Sequence, residues 1–92
     1  MTEYIRCEAL DVLEVDGESL VLLPDGQLVR LSPIATAAFH LTVTRTSVEA
    51  IAALLEESFG VPEGGAVVDA TRSLVADLVG AGVLHPAREG TP

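Results

Sequence analysis

DVLEVDGESLVLLPDGQLVRLSP, residues 11–33, is the stretch whose reading decides the fold. It holds three short apolar runs separated by two glycine turns. In Asp11–Val15 a strand puts Leu13 and Val15 on one face and Glu14 on the other, the period-2 pattern of a half-buried strand. Asp16-Gly17 follows, a hairpin turn signal, because glycine takes positive φ without a steric penalty. Ser19–Leu23 is the apolar central run. Pro24-Asp25-Gly26 makes a second turn, with proline fixing one φ and glycine freeing another. Gln27–Leu31 is the third run. Two tight turns joining three runs predict an antiparallel meander. Upstream, Tyr4 to Cys7 is too short a pattern to assign.

The end of the same stretch starts the helical part. Ser32 can accept from free amides, and Pro33 is tolerated at a first helical position. Ile34, Ala37, Ala38 and Leu41 at helical spacing predict a helix over 33–41. Thr42–Thr46 reads as a connection. Thr46 and Glu49 have capping-box spacing, which favours Thr46 over Ser47 as the cap of a second helix. Ile51, Leu54, Leu55 and Phe59 form its apolar face, and Gly60 ends it. Pro62–Gly65 reads as a loop. A third helix is expected from about Ala66 to Ala81, with Val67, Thr71, Leu74, Leu78 and Ala81 inward. Gly82 closes it and Val83-Leu84 returns to the core. The expected organisation is one domain over 1–85 and a short mobile tail over 86–92. The fold class is α+β, a three-stranded antiparallel sheet followed by three helices.

Composition excludes several partners. The chain has 92 residues, 49% of them hydrophobic but only 3% aromatic, so the core is aliphatic. The formal net charge is -9, and all five cations are arginines. Such a surface repels nucleic-acid backbones and anionic membranes. The longest clear apolar runs, 20–23 and 50–55, are far short of the roughly 20 residues that span a bilayer. The N-terminus lacks the apolar run of a signal peptide. Cys7 is the single cysteine and can form no intrachain disulfide, so the expected location is the cytoplasm.

Catalytic signatures are absent from the sequence. His40 and His85 stand far apart, and with Cys7 they show no metal-ligand spacing. Cys7 is flanked by Arg6 and Glu8 and has no neighbouring base to activate it. The serines lie in no nucleophile motif. Gly64-Gly65 adjoins Glu63 and makes a poor anion cradle. Glu56-Glu57 reads as a solvated helix flank. The expectation is a non-enzyme with no metal and no cofactor.

Two features point to binding instead. Val68, Arg72, Val75 and Val79 recur at helical spacing beside the inner stripe of the third helix. They suit either a wide core face or the wall of a groove. The third run, Gln27, Leu28, Val29, Arg30 and Leu31, is an outer strand with one charge, so its backbone groups are open to pairing. An edge strand beside an apolar helix is the physical setting for strand addition by a peptide. Arg30 and Arg72 would then pair with acidic side chains of that peptide.

The order and spacing of these pieces resemble the PqqD family. The resemblance runs from Asp11 to Leu84. It rests on Asp16-Gly17, Leu20–Leu23, Pro24-Asp25-Gly26, Val29–Pro33, Ala37–Leu41, Thr46–Ile51, Phe59-Gly60-Val61, Leu74–Leu78 and Ala81–Leu84. Members often carry Asn at the place of Ser32, Trp near Phe39, and Asp-Gly where this chain has Thr42–Arg45. The resemblance implies a winged-helix-like scaffold that binds the leader of a ribosomally made precursor peptide. The leader would add to the third strand and pack on the third helix. It also implies delivery to a separate protein, a radical enzyme or a leader peptidase. The rivals are a DNA-binding winged helix and a dimerisation subunit. Arg72 is the one cation of the third helix, where groove-reading helices bring several phosphate contacts. A homodimer through the same strand edge is compatible with peptide binding.

Overall fold

The computed structural model describes residues 2–60 and 66–87. Along the chain the elements are β1 (Glu3–Arg6), β2 (Asp11–Val15), β3 (Glu18–Leu22), β4 (Leu28–Leu31), α1 (Pro33–Leu41), β5 (Thr46–Ser47), α2 (Val48–Phe59), α3 (Val67–Gly80) and β6 (Leu84–Ala87). The fold is α+β. The three expected strands are present as a meander in the order β2-β3-β4, and the three expected helices follow.

The first hairpin turns on two residues. Asp16 and Gly17 have φ of 54° and 82°, the double positive φ of the tight turn that matches strand twist. Asp16 tolerates this conformation and Gly17 is free to adopt it. The second turn is closed by the Gly26 amide donating to the Leu23 carbonyl at 2.9 Å, and by the Leu23 amide donating to Gln27 at 2.8 Å. One face of β3 and β4 is sealed, with Ser19, Val21 and Leu31 buried, whereas all five residues of β2 are exposed, so the half-buried strand expected at Asp11–Val15 lies at an uncovered edge instead. The Ser19 and Thr36 hydroxyls meet at 2.8 Å and tie β3 to α1. Burying two hydroxyls without partners is costly, so this bond also fixes how the helix sits on the sheet.

A second sheet, ordered β5-β1-β6, goes beyond the single sheet expected from sequence. Tyr4 to Arg6 pairs with Pro86 to Leu84, and Glu3-Tyr4 pairs with Ser47-Thr46. The strand β6 runs through Pro86 and Ala87, two residues that sequence reading assigned to the tail. Pro86 is accommodated because β6 is an edge strand. Residues 88–92 lie outside the described residues, as does the expected loop over 62–65. This second sheet was illegible because its members are two to four residues long and come from three distant parts of the chain.

The helix caps divide in the same way. Ser32 caps α1 as expected, accepting from the Ala35 amide at 3.3 Å. The cap of α2 is Ser47, accepting from Ala50 at 3.2 Å, and not Thr46. Thr46 is drawn into β5 opposite Tyr4, and its hydroxyl donates to the Leu41 and Thr44 carbonyls. A tertiary strand contact thus overrides the local capping-box spacing. Gly60 ends α2 with φ 79°, its amide donating to Glu56 at 2.9 Å.

The core joins both sheets to the helices. Phe39, Leu31, Ile51, Leu84, Val21, Val75 and Val83 are its largest sealed side chains. Each such burial contributes about 1.5–3 kcal/mol against an exposed state. Gly82 has φ 83°, and a Cβ there would meet Leu23 Cδ1 at 3.4 Å. The turn after α3 therefore packs against Leu23 at the β3–β4 turn, while α3 itself packs mainly on α2.

Candidate peptide-binding site

The outer edge of β4 is the first component. In an antiparallel pair, successive residues point their N–H and C=O groups alternately toward and away from the partner strand. The Leu23 amide bonds to Gln27, and the register pairs Val21 with Val29 and Ser19 with Leu31. Hence Val29 and Leu31 spend their backbone groups on β3, while Gln27 gives its carbonyl to the Leu23 amide and donates its own amide to the Asp25 carboxylate at 3.0 Å. Leu28 and Arg30 turn theirs outward to the open edge. An added strand would find two donor–acceptor pairs there, spaced by one residue. The Arg30 side chain lies back over the sheet and donates to Glu18 through Nε at 3.0 Å and through the second guanidinium nitrogen at 2.8 Å. Both groups are solvent-exposed, so this pair contributes less than about 1 kcal/mol.

The second component is α3. Thr71, Val75 and Leu78 are buried, while Val68, Leu74 and Val79 are half-buried against the same core. Val75 is 1% exposed. The two stripes read from the sequence are therefore the two margins of one wide core face with Val75 at its centre. Arg72 lies to one side of that face. Its guanidinium is 3.9 Å from the Glu49 carboxylate and 3.4 Å from Asp69, in a hollow lined also by Thr2, Tyr4 and Val48. Arg30 lines a different hollow, with Leu13, Val15 and Leu20. The structure does not bring the two cations into one groove.

The opposite margin of α3 faces another opening. Val67, Ala70, Thr71 and Leu74 wall an apolar hollow of about 260 Å³, completed by Ile34, Leu55 and Phe59. Ile34, three residues beyond the end of β4, is the lining residue of this hollow nearest in sequence to the edge strand. Sequence reading placed Val67, Thr71 and Leu74 on the inner face of α3, and did not single out Ile34 or Phe59 for binding. Ile34 in the first turn after the edge strand was the available signal. Its helical spacing alone made it a core position, but it remains substantially exposed.

The fold thus combines a meander with an open edge, a serine-capped helix running from it, and two further helices packed on each other. The family described as coenzyme PQQ synthesis protein D (PqqD) matches residues 15–84. The chain belongs to the PqqD family. No curated protein and no solved structure matches it. PqqD proteins are recognition elements for ribosomally made precursor peptides, accessory and non-catalytic, and they work with a radical enzyme. Membership carries a peptide-binding role in the synthesis of PQQ or of other modified peptides.

The remaining reactive side chains of this PqqD protein have structural surroundings. Cys7 is buried, its amide donating to Val83 at 2.8 Å, and burial pushes its thiol above the ordinary cysteine value. A raised thiol is a poor nucleophile. His40 is bonded to Glu14 across from α1 to β2. Among the described residues no three His, Cys, Asp or Glu side chains converge, and no helix is long and apolar enough to cross a membrane. Arg6 stacks its guanidinium 4.7 Å from the Phe39 ring centre, which holds β1 against α1.

Proposed function

We propose that this chain binds the leader segment of a precursor peptide by strand addition along β4 and presents it to a separate modifying enzyme or leader peptidase. The observation that carries this reading is the hydrogen-bond phase of β4. We assign to this site the outward backbone groups of Leu28 and Arg30 together with the apolar hollow that α3 and Ile34 line. The backbone supplies affinity to any extended chain, and the hollow selects for apolar side chains at alternate positions. Gln27 to Leu31 form the strand side of the site. On α3 we assign the contact to the Val67, Thr71 and Leu74 margin, with Ile34 and Phe59 across from it. Val75 supports that margin from the core, and Val68 and Val79 flank it. Arg30 is held by an exposed pair and can exchange Glu18 for an acidic residue of the leader at little cost.

The test is titration of the isotope-labelled protein with synthetic leaders from neighbouring precursor genes. The expected result is amide shift changes concentrated at Leu28, Arg30 and the Val67–Leu74 side of α3. A leader that binds with shifts confined to the β5-β1-β6 sheet overturns the assignment of the site. No binding of any such leader to the folded chain overturns the function.

A further inference from the structure

We propose that the outward face of the β2-β3-β4 sheet docks a partner protein whose contact surface has an apolar centre flanked by arginine or lysine. An antiparallel sheet with one face in water ordinarily places polar residues there. This one does the reverse. Leu13 is 59% exposed, Leu20 39% and Leu28 67%, and the register sets Leu13 beside Leu20 on neighbouring strands and Leu28 beside Leu22. Val15 extends the patch toward the first hairpin. Two shallow hollows meet at Leu13 and Leu20, so the leucines form one continuous surface. A contiguous exposed apolar patch rimmed by polar groups marks an interaction site.

The rim selects the occupant. Asp11 closes one end of the patch, and Asp16 and Glu18 close the other. Arg30 is the single cation lining it among the described residues, and Glu18 already neutralises it. The rim is therefore acidic, on a chain of net charge -9. A second copy would bring the same carboxylates face to face, and like charges across an interface cost affinity. Nucleic acid and anionic lipid are repelled for the same reason. A protein surface with basic residues at both ends of an apolar centre meets every feature of the patch. The leader takes the outward backbone groups of β4 and the partner takes the leucine face, so the two surfaces border each other at Leu28 and Arg30 while Leu13, Val15 and Leu20 belong to the partner alone.

The choice of probe rests on the presenting role proposed above: it is the purified modifying enzyme encoded beside this chain. Titrated into labelled protein, the enzyme should broaden or shift the amides of Leu13, Val15 and Leu20. Leu13→Thr with Leu20→Thr keeps strand propensity and should weaken enzyme binding at least about tenfold, the loss expected when the centre of an interface is removed. The same variant should leave leader affinity within about twofold. Asp11→Lys with Asp16→Lys should weaken enzyme binding and remove its salt dependence. Shifts confined to other surfaces, full-affinity binding by the double threonine variant, or charge variants without effect would each overturn the proposal. So would concentration-dependent dimerisation of the chain alone that the threonine variant abolishes, because the occupant would then be a second copy. Should the variant fail to fold, the wild-type shift map decides. An enzyme that does not bind overturns this inference while leaving leader binding to its own titration, and the converse holds if only the leader fails.

Discussion

The two sheets are built from strands of similar length and do opposite work. In β5-β1-β6, the central strand is paired on both sides, all four of its residues are half-buried, and Leu84 of β6 is sealed in the core. In β2-β3-β4, Ser19, Val21 and Leu31 seal one face of β3 and β4, the other face presents Leu13, Leu20 and Leu28 to solvent, and the β4 edge is unpaired among the described residues. The first sheet clasps the two ends of the chain to the helices. The second spends only half its surface on the fold. What differs is not strand propensity but how many sides of each strand the rest of the chain covers, and function follows the uncovered sides.

The contrast breaks most visibly at Leu84. Leu84→Ala removes a fully buried side chain from the clasp and should cost about 2–5 kcal/mol, the range for a large-to-small change in a core. The equivalent change at Leu13 on the outer face of the meander should cost under about 0.5 kcal/mol, as surface changes do. Denaturant midpoints of the two variants measure the difference. Comparable losses at both sites would mean that the leucine face is structural.

The next effect separates the inward and outward groups of one strand. Leu28→Pro deletes an amide that faces the open edge, whereas Val29→Pro deletes one bonded to β3. Proline on an edge strand is tolerated only where its missing N–H faces out. Leu28→Pro should therefore keep the fold and lower leader affinity about tenfold or more, equivalent to about 1.4 kcal/mol. Val29→Pro should damage the meander itself. Amide exchange gives the same answer without a variant: Leu28 and Arg30 should exchange rapidly in the free chain and slow on leader binding. Equal protection of Val29 and Leu28 in the free chain would contradict the assigned phase.

Alkaline pH tests the clasp again, through Cys7. Burial, chiefly by desolvation, raises its folded value above the ordinary cysteine value. Below the unfolded value both states keep the proton, and stability does not depend on this group. As pH rises past the unfolded value, the unfolded chain alone releases its proton. Stability then falls until the folded thiol ionises too. The slope cannot exceed about 1.4 kcal/mol per pH unit for one proton. Cys7→Ala should remove that part of the loss in urea titrations run between neutral and alkaline pH. An unchanged slope would show that the thiol is not shielded.

The meander, α1 and the extent of α3 were legible because each is announced by local chemistry. Asp16-Gly17 needs only its own backbone to turn, and Ser32-Pro33 only its own amides to start a helix. The second sheet was not legible, because Thr46-Ser47 has no strand identity until Tyr4 lies beside it. The same dependence misdirected the cap from Ser47 to Thr46. For the site, the edge strand could be read from the count of strands, but its hydrogen-bond phase needed the Leu23–Gln27 contact. The flank of α3 that lines the hollow with Ile34 was equally out of reach. Helical spacing gives two apolar stripes, and only the packing of α2 and α1 decides which of them opens beside Ile34.

Arg72 is where that last distinction becomes measurable, with the smallest effect. Sequence spacing put it on a groove wall beside Arg30, ready for an acidic leader. In the folded chain it sits between Glu49 and Asp69 near the start of β1, on the margin of α3 away from Ile34. Arg72→Glu places a third carboxylate among two and removes two exposed pairs. Exposed pairs are worth about 0–1 kcal/mol, so stability should fall by no more than about that amount. Leader affinity should change less than about twofold, because the substitution alters neither the β4 edge nor the Val67–Leu74 margin, and its charge is screened beyond about 10 Å at ordinary salt. A substantially larger loss of affinity for an acidic leader, with the fold intact, would carry the peptide across to the Tyr4 side of α3. The clasp, and not only the meander, would then be part of the binding surface.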